Sequence, residues 1–282
     1  MNLILGHNQF LGISHTSESK SWEKDIQFSD VKHIYDVVET AAEVGFTGMI
    51  IETHPRMIEF LEYYGNNKTF DFDFYLQVPY VQTYVQQMNE KGMRGVIDEV
   101  IKKTGFLGAS SLALKSGLSY LKKDYMSLGM SMLKLEIAPF DTISIKGLLL
   151  HNVMTDLLLS LRLCEGFKTY VDFVRSKLDI KPGLITLNFP MLVKSLDDWN
   201  VKPDYIMTPI NPNGFDMNPS KEKVETALQK YKGEIIAMNI LGGGAFSVKD
   251  SYEYLKPFHI NNVVVGASSK LHLIEIRDIF LP

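Results

Sequence analysis

The chain has 282 residues, 45% of them hydrophobic and 22% charged, with a formal net charge of −4. Its 29 Lys and Arg against 33 Asp and Glu leave no electrostatic footprint for nucleic acid or for an anionic membrane surface. One cysteine, Cys164, excludes an internal disulfide and a multi-cysteine metal cluster, and a chain this long buries enough core to need neither.

Met1–Gly6 opens the chain as a short apolar run with no basic stretch before it, and polar residues follow at once. A secretory leader needs a longer apolar region, and no later stretch approaches the ~20 apolar residues of a membrane helix. With the lone cysteine, this predicts a cytoplasmic protein.

The first strand-like run is Leu3–Gly6. A helical stripe follows at Val31, Ile34, Tyr35, Val38, Ala41 and Ala42, ended by Gly45 as a C-cap. Strand-like runs Gly48–Glu52 and Phe72–Val78 come next. Residues 80–140 carry only helical signals: Val81–Lys91, Gly95–Lys103, and a Met- and Leu-rich run from Ser110 to Ile137. Ile145–His151 is the fourth run, followed by a helical stretch over Leu157–Cys164 and a fifth run at Leu184–Asn188. Tyr205–Thr208, a helix over Lys221–Tyr231, then Ile235–Ile240 and Val263–Gly266 complete the series, with a last helix capped by Ser268 or Ser269 and running to Phe280.

Most of these runs are apolar without polar alternation, as in strands buried on both faces. Strand then helix, eight times, predicts an α/β fold: a (β/α)8 TIM barrel forming a single domain over 1–282, with a helical insertion at 80–140 after strand 3. A doubly wound open sheet is the rival, but its glycine-rich phosphate turn follows the first strand, and here such turns follow the last two. The insertion reads equally as a lid over the site or as a peripheral layer through which copies of the chain associate.

In such a barrel the C-terminal strand ends face the active site. The polar residues there are His7, Asn8 and Gln9 after strand 1, Glu52 and His54 after strand 2, Gln77 in strand 3, His151 after strand 4, Asn188 after strand 5, Asn211 after strand 6 and Asn239 in strand 7. Three of seven histidines and one glutamate converge, which is a set suited to proton transfer near neutral pH. His151, Glu52, His54 and His7 are therefore the catalytic candidates, and Asn8, Gln77, Asn188, Asn211 and Asn239 the substrate-binding ones. No His-x-His pair and no His-Glu-x-x-His helix occurs, so no metal ligands are assigned. Gly242, Gly243 and Gly244 follow strand 7, and Gly266, Ser268, Ser269 and Lys270 follow strand 8 at a helix start. Exposed N–H groups and a helix N-terminus make an anion site, expected here for a phosphate. With no basic patch in the sequence, glycine backbone and a helix end would have to hold it. No Gly-x-Ser-x-Gly elbow occurs, and Lys146 lies at the wrong end of strand 4 for Schiff-base chemistry.

The C-terminal quarter resembles the aldo/keto reductase superfamily. Ile236-Ala237-Met238-Asn239-Ile240-Leu241-Gly242-Gly243-Gly244 and Val263-Val264-Val265-Gly266-Ala267-Ser268-Ser269-Lys270 are similar to its last two strands, which hold the phosphates of a nicotinamide cofactor. Leu148-Leu149-Leu150-His151 is similar to its strand-4 catalytic histidine, Asn188 to an amide near the nicotinamide, and Glu52 stands where the family has aspartate. Two groups depart from it. Pro55, Arg56 and Met57 occupy the region of the catalytic tyrosine, Tyr63 and Tyr64 come later in a helix, and Gln77 stands in place of the lysine.

The leading expectation is thus an enzyme acting on a small phosphorylated or nucleotide-bearing metabolite by His/Glu acid–base chemistry, of lyase, isomerase or epimerase type. One alternative is an oxidoreductase using the NADP that the resemblance implies, with His151 or His54 standing in for the tyrosine. The other is a non-catalytic ligand-binding barrel.

Overall fold

The structure is a computed structural model of the chain, and it describes residues 1–13, 18–80, 125–141 and 143–281. Eight parallel strands close into a barrel in sequence order: β1 Asn2–Leu5, β2 Gly48–Glu52, β3 Asp73–Val78, β4 Ile145–Leu150, β5 Lys181–Ile185, β6 Tyr205–Pro209, β7 Glu234–Met238 and β8 Asn262–Val265. Closure comes from β8 pairing with β1, Leu3 opposite Val263 and Leu5 opposite Val265. That closure excludes the open sheet.

Helices wrap the outside. They are α1 Glu18–Gln27, α2 Val31–Glu43, α3 Pro55–Asn67, α4 Tyr125–Ile137, α5 Asn152–Ser160, α6 Cys164–Lys177, α7 Phe189–Trp199, α8 Lys221–Lys230, α9 Val248–Leu255 and α10 Lys270–Phe280. The apolar runs lack alternation because both strand faces are buried. Leu3, Leu5, Met49 and Ile51 pack outward under helices, while Ile4, Ile50, Leu149 and Ile236 fill the barrel interior. Near the N-terminal strand ends Tyr75 and Tyr205 meet edge to face at 5.6 Å. Gly147 makes room for them: a Cβ there would lie 3.0 Å from the Tyr75 ring and 3.2 Å from that of Tyr205. With that end plugged, the barrel's open volume lies at the C-terminal end.

Two sequence expectations change. The fifth strand sits earlier than Leu184–Asn188, because Pro182 and Gly183 belong to it; both read as breakers in sequence, yet a Cβ on Gly183 would lie 2.3 Å from Leu149, so close strand packing requires glycine. The helical stretch over Leu157–Cys164 is broken at Arg162, which adopts φ 53°, so Cys164 starts α6 instead of ending a helix. Of the 80–140 insertion, α4 and a 3-10 turn at Ala138–Phe140 are seen; Val81–Lys91, Gly95–Lys103 and the start of the Met-rich run lie outside the described residues. Among the described residues no helix is long and apolar enough to cross a membrane.

Candidate active site

A cavity of about 620 Å³ opens at the C-terminal strand ends, within the size range of small-molecule sites. The sequence-derived candidates His7, Asn8, Glu52, Gln77, His151, Asn239, Gly243, Gly244 and Gly266 all line it.

On the β1–β4 side, His7 and Glu52 are buried at 7% exposure each. His7 Nε2 lies 3.6 Å from Glu52 Oε2, so a carboxylate and an imidazole share one dry pocket. Pro55 starts α3 and His54 caps it, its Nδ1 accepting from the Arg56 N–H at 3.1 Å. His151 does the same for α5, its Nδ1 accepting from the Val153 N–H at 3.1 Å. A histidine that accepts at Nδ1 holds its neutral-state proton at Nε2. Burial pushes both rings below the ordinary histidine range, with the nearby Glu52 charge opposing. His151 therefore presents a neutral Nε2–H, a hydrogen-bond donor. A proton added at Nδ1 would break that cap. His54 is not a cavity-lining residue; its ring meets Tyr80 edge to face at 5.6 Å.

Tyr80, two residues beyond β3, lines the cavity. Burial and the Glu52 charge hold its phenol above the ordinary tyrosine range. It follows a proline after an apolar strand, and its strand-end position was the signal available in sequence.

On the opposite side, Gln9 clasps the β1 and β8 loops together by donating to the Gly6 and Ala267 carbonyls at 2.7 and 3.0 Å. Gly266 permits this, since a Cβ there would lie 2.9 Å from Gln9 Oε1. The glycine turn after β7 spends part of its N–H supply on itself: Gly242 donates to the Asn239 carbonyl and Gly244 to that of Leu241. Gly242 faces Asn213, where a Cβ would come within 2.6 Å, and is not a lining residue. Gly243 is open, with a Cβ there meeting only the Phe215 ring at 4.0 Å. Asn239, at φ 53°, donates to Asp216 Oδ2 at 3.2 Å, and both line the cavity.

The cation that composition did not reveal is Lys24. It reaches from α1 into the cavity wall and donates to Ser268 Oγ at 2.7 Å. A phosphate would therefore meet a side-chain charge as well as backbone, contrary to expectation from composition. Ser269 caps α10 through the His272 N–H, and Lys270 is exposed on the first turn of that helix; neither of them, nor Ser268, lines the cavity.

Two amides expected to bind substrate are spent on local structure. Asn188 caps α7 by accepting from the Met191 N–H. Asn211 is fully buried and binds the Phe215 N–H and carbonyl, closing its own loop. Asp156 organises the β5 end, accepting from Thr186 Oγ1 and the Leu187 N–H, while burial pushes its carboxyl up. Among the described residues, no three His, Cys, Asp or Glu side chains converge to hold a metal ion.

No family model matches the sequence, and no curated protein matches it. Solved structures do. A Pseudomonas aeruginosa protein assigned as an aldo-keto reductase superposes with a TM-score of 0.59 at 16% identity, over 98% of this chain and 88% of that one. An aldo/keto reductase from Brucella melitensis gives 0.54 at 11%, over 99% and 87%. A protein assigned as 2,5-diketo-D-gluconic acid reductase B gives 0.53 at 12%, over 99% and 81%. The chain has the aldo/keto reductase fold. The residues that carry the sequence resemblance at β7, β8 and His151 stand at C-terminal strand ends of this barrel, and Glu52 and Gln77 line the cavity.

Proposed function

We propose that the protein is an oxidoreductase of aldo/keto reductase type that uses a nicotinamide dinucleotide, NADP in the first instance, to interconvert a carbonyl and an alcohol. The observation that carries this reading is one cavity joining two unlike walls. One holds His7, Glu52, Gln77, Tyr80 and His151; the other holds Gly243, Gly244, Gly266 and Lys24. The shared barrel moves this reading ahead of the lyase or isomerase one.

The residues fit the phosphate-bearing half of a dinucleotide. Gly243 leaves backbone open to close approach, Gly266 sits where a side chain would displace Gln9, and Lys24 adds a charge. These three would hold the phosphates, with Ser268 behind them positioning Lys24. When bound, a dihydronicotinamide supplies a hydride. The chain's own part is to place and polarise the acceptor: His151 Nε2–H donates to the carbonyl oxygen, and Gln77 and Asn8 offer further hydrogen bonds. Leu187, Met207, Met238 and Val264 line the cavity and exclude water from the reacting carbon.

Titration with NADPH, followed by nicotinamide fluorescence and by thermal shift, tests the reading. Saturable binding in the micromolar range is expected. Absence of binding by both NADPH and NADH overturns it. The buried His7–Glu52 contact at 3.6 Å favours a second reading, a non-redox proton transfer on a phosphorylated metabolite; this predicts thermal stabilisation by phosphorylated sugars without any by dinucleotides.

A further inference from the structure

We propose that Tyr80 is the proton donor of this site, and that Glu136, from the helix closing the insertion, is the residue that positions it. The inference rests on the oxidoreductase reading and assigns the acid which that reading needs.

The β2 loop, where the family's tyrosine would lie, holds Pro55, Arg56 and Met57 at the start of α3. The cavity replaces that group from the next strand. Tyr80 lines the cavity with Glu52, Gln77 and His151. The engagement of its neighbours points to the phenol: His7 Nε2 and Glu52 Oε2 face each other at 3.6 Å. His151 has Nδ1 occupied by the α5 cap, so its Nε2–H orients an oxygen but is not surrendered. Lys24 is held by Ser268 and Gln27 at the other wall.

Tyr80 is held at its ring and at its backbone. His54, fixed as the α3 cap, sets its edge against the Tyr80 ring. Glu136 is buried at 8% exposure on α4. Its Oε2 accepts from the Tyr80 N–H at 3.1 Å and from Thr53 Oγ1 at 3.2 Å. Thr53 stands between Glu52 and His54, so one carboxylate ties the loop carrying those two groups to the loop carrying Tyr80. Among the described residues, the titratable groups near Tyr80 are Glu52, His54, Glu136 and, beyond Glu52, His7.

In the reducing direction a bound dihydronicotinamide would supply the hydride for the new C–H bond, and the C=O π pair would move to oxygen. The Tyr80 O–H bond breaks as its proton joins that oxygen. The phenolate then takes a proton from water. Carbonyl is reduced, nicotinamide oxidised, and the tyrosine restored.

The test uses full-length wild type, Tyr80→Phe, Glu136→Gln and Glu136→Asp. NADPH affinity by fluorescence is expected to agree within about twofold in all four, since neither residue is on the phosphate wall. With a panel of aldehydes and ketones, Tyr80→Phe is expected to lower kcat about 10²- to 10⁴-fold, the range of a lost general acid. Glu136→Gln is expected to lower kcat about tenfold with KM little changed and to move the alkaline limb of the pH profile, while Glu136→Asp restores part of both. A readout without cofactor is the ¹³Cζ tyrosine NMR titration, with Tyr80 assigned from the Phe variant: its resonance is expected to ionise at a different pH in Glu136→Gln. Tyr80→Phe as active as wild type overturns the donor assignment while coenzyme binding leaves the reading intact. Wild type that binds NADPH but reduces none of the panel also counts against the donor. An unmoved Tyr80 titration and pH profile in Glu136→Gln reduces Glu136 to a fold residue. No coenzyme binding by wild type sinks the oxidoreductase reading itself.

Discussion

The two walls of the cavity are built on different principles. The β1–β4 wall works through side chains: buried His7 and Glu52, with Tyr80 and a capped His151 beside them. The β7–β8 wall works largely through absent side chains, at Gly243 and Gly266, and borrows a cation from α1. A side-chain wall can polarise an acceptor and move protons. A glycine wall can only be approached closely. Their meeting in one cleft is the arrangement behind our proposal of a ligand with a reactive end and an anionic end.

The largest effect that would break this division is on the first wall. His151→Ala is expected to lower kcat/KM for a reducible carbonyl about 10²- to 10³-fold, as for a lost oxyanion donor, with NADPH affinity nearly unchanged. Equal losses in both quantities would erase the distinction between the walls. Lys24→Met attacks the second wall. A charge-assisted contact is worth about 1.5–3 kcal/mol, so the Kd for NADPH should rise about tenfold or more and lose part of its salt dependence. Gly266→Ala is milder, because the Cβ meets the movable end of Gln9; about threefold weaker coenzyme binding is expected, with catalysis at saturation unchanged.

Acid sharpens the comparison without touching the ligand. His54 and His151 have folded-state pKa values depressed by burial. Below the ordinary value of ~6.5 the unfolded chain binds more protons, so their contribution to stability is complete above pH 7 and falls as pH drops. Replacing each by Asn, which caps without titrating, should flatten the loss of denaturant-measured stability between pH 7 and 5. A slope unchanged in the double variant assigns the acid sensitivity elsewhere. The smallest effect concerns the link between walls. Arg56 on α3 donates to the Phe10 carbonyl and pairs at 2.8 Å with Asp25, next to Lys24. Asp25 is largely exposed, so Asp25→Ala should cost less than about 0.5 kcal/mol in global stability; a shift in coenzyme affinity beyond that would show that the pair holds α1 in place.

The barrel was legible because closure imposes a pattern that single residues carry. Each strand must be apolar on both faces, so Gly48–Glu52 emerges at its observed limits. Strand 5 was displaced because Pro182 and Gly183 are tolerated for reasons of packing that no local signal shows. The site was legible as residue types at strand ends, and His7, Glu52, Gln77 and His151 do meet. Asn188 and Asn211 sit at strand ends too, but their amides satisfy a helix start and a loop. A polar residue's position does not reveal which backbone groups will claim it.

The residue pattern by itself determined the order of strands and helices and which strand ends carry polar groups, because burial and period are local properties of the chain. Only the tertiary structure decided what those groups do. It placed Nδ1 of His151 on a helix cap, brought Lys24 from a neighbouring helix to the glycine wall, and set Tyr80 and Glu136 together across more than fifty residues of sequence. Those contacts follow from how the helices lie on the closed barrel, which no stretch of sequence encodes alone.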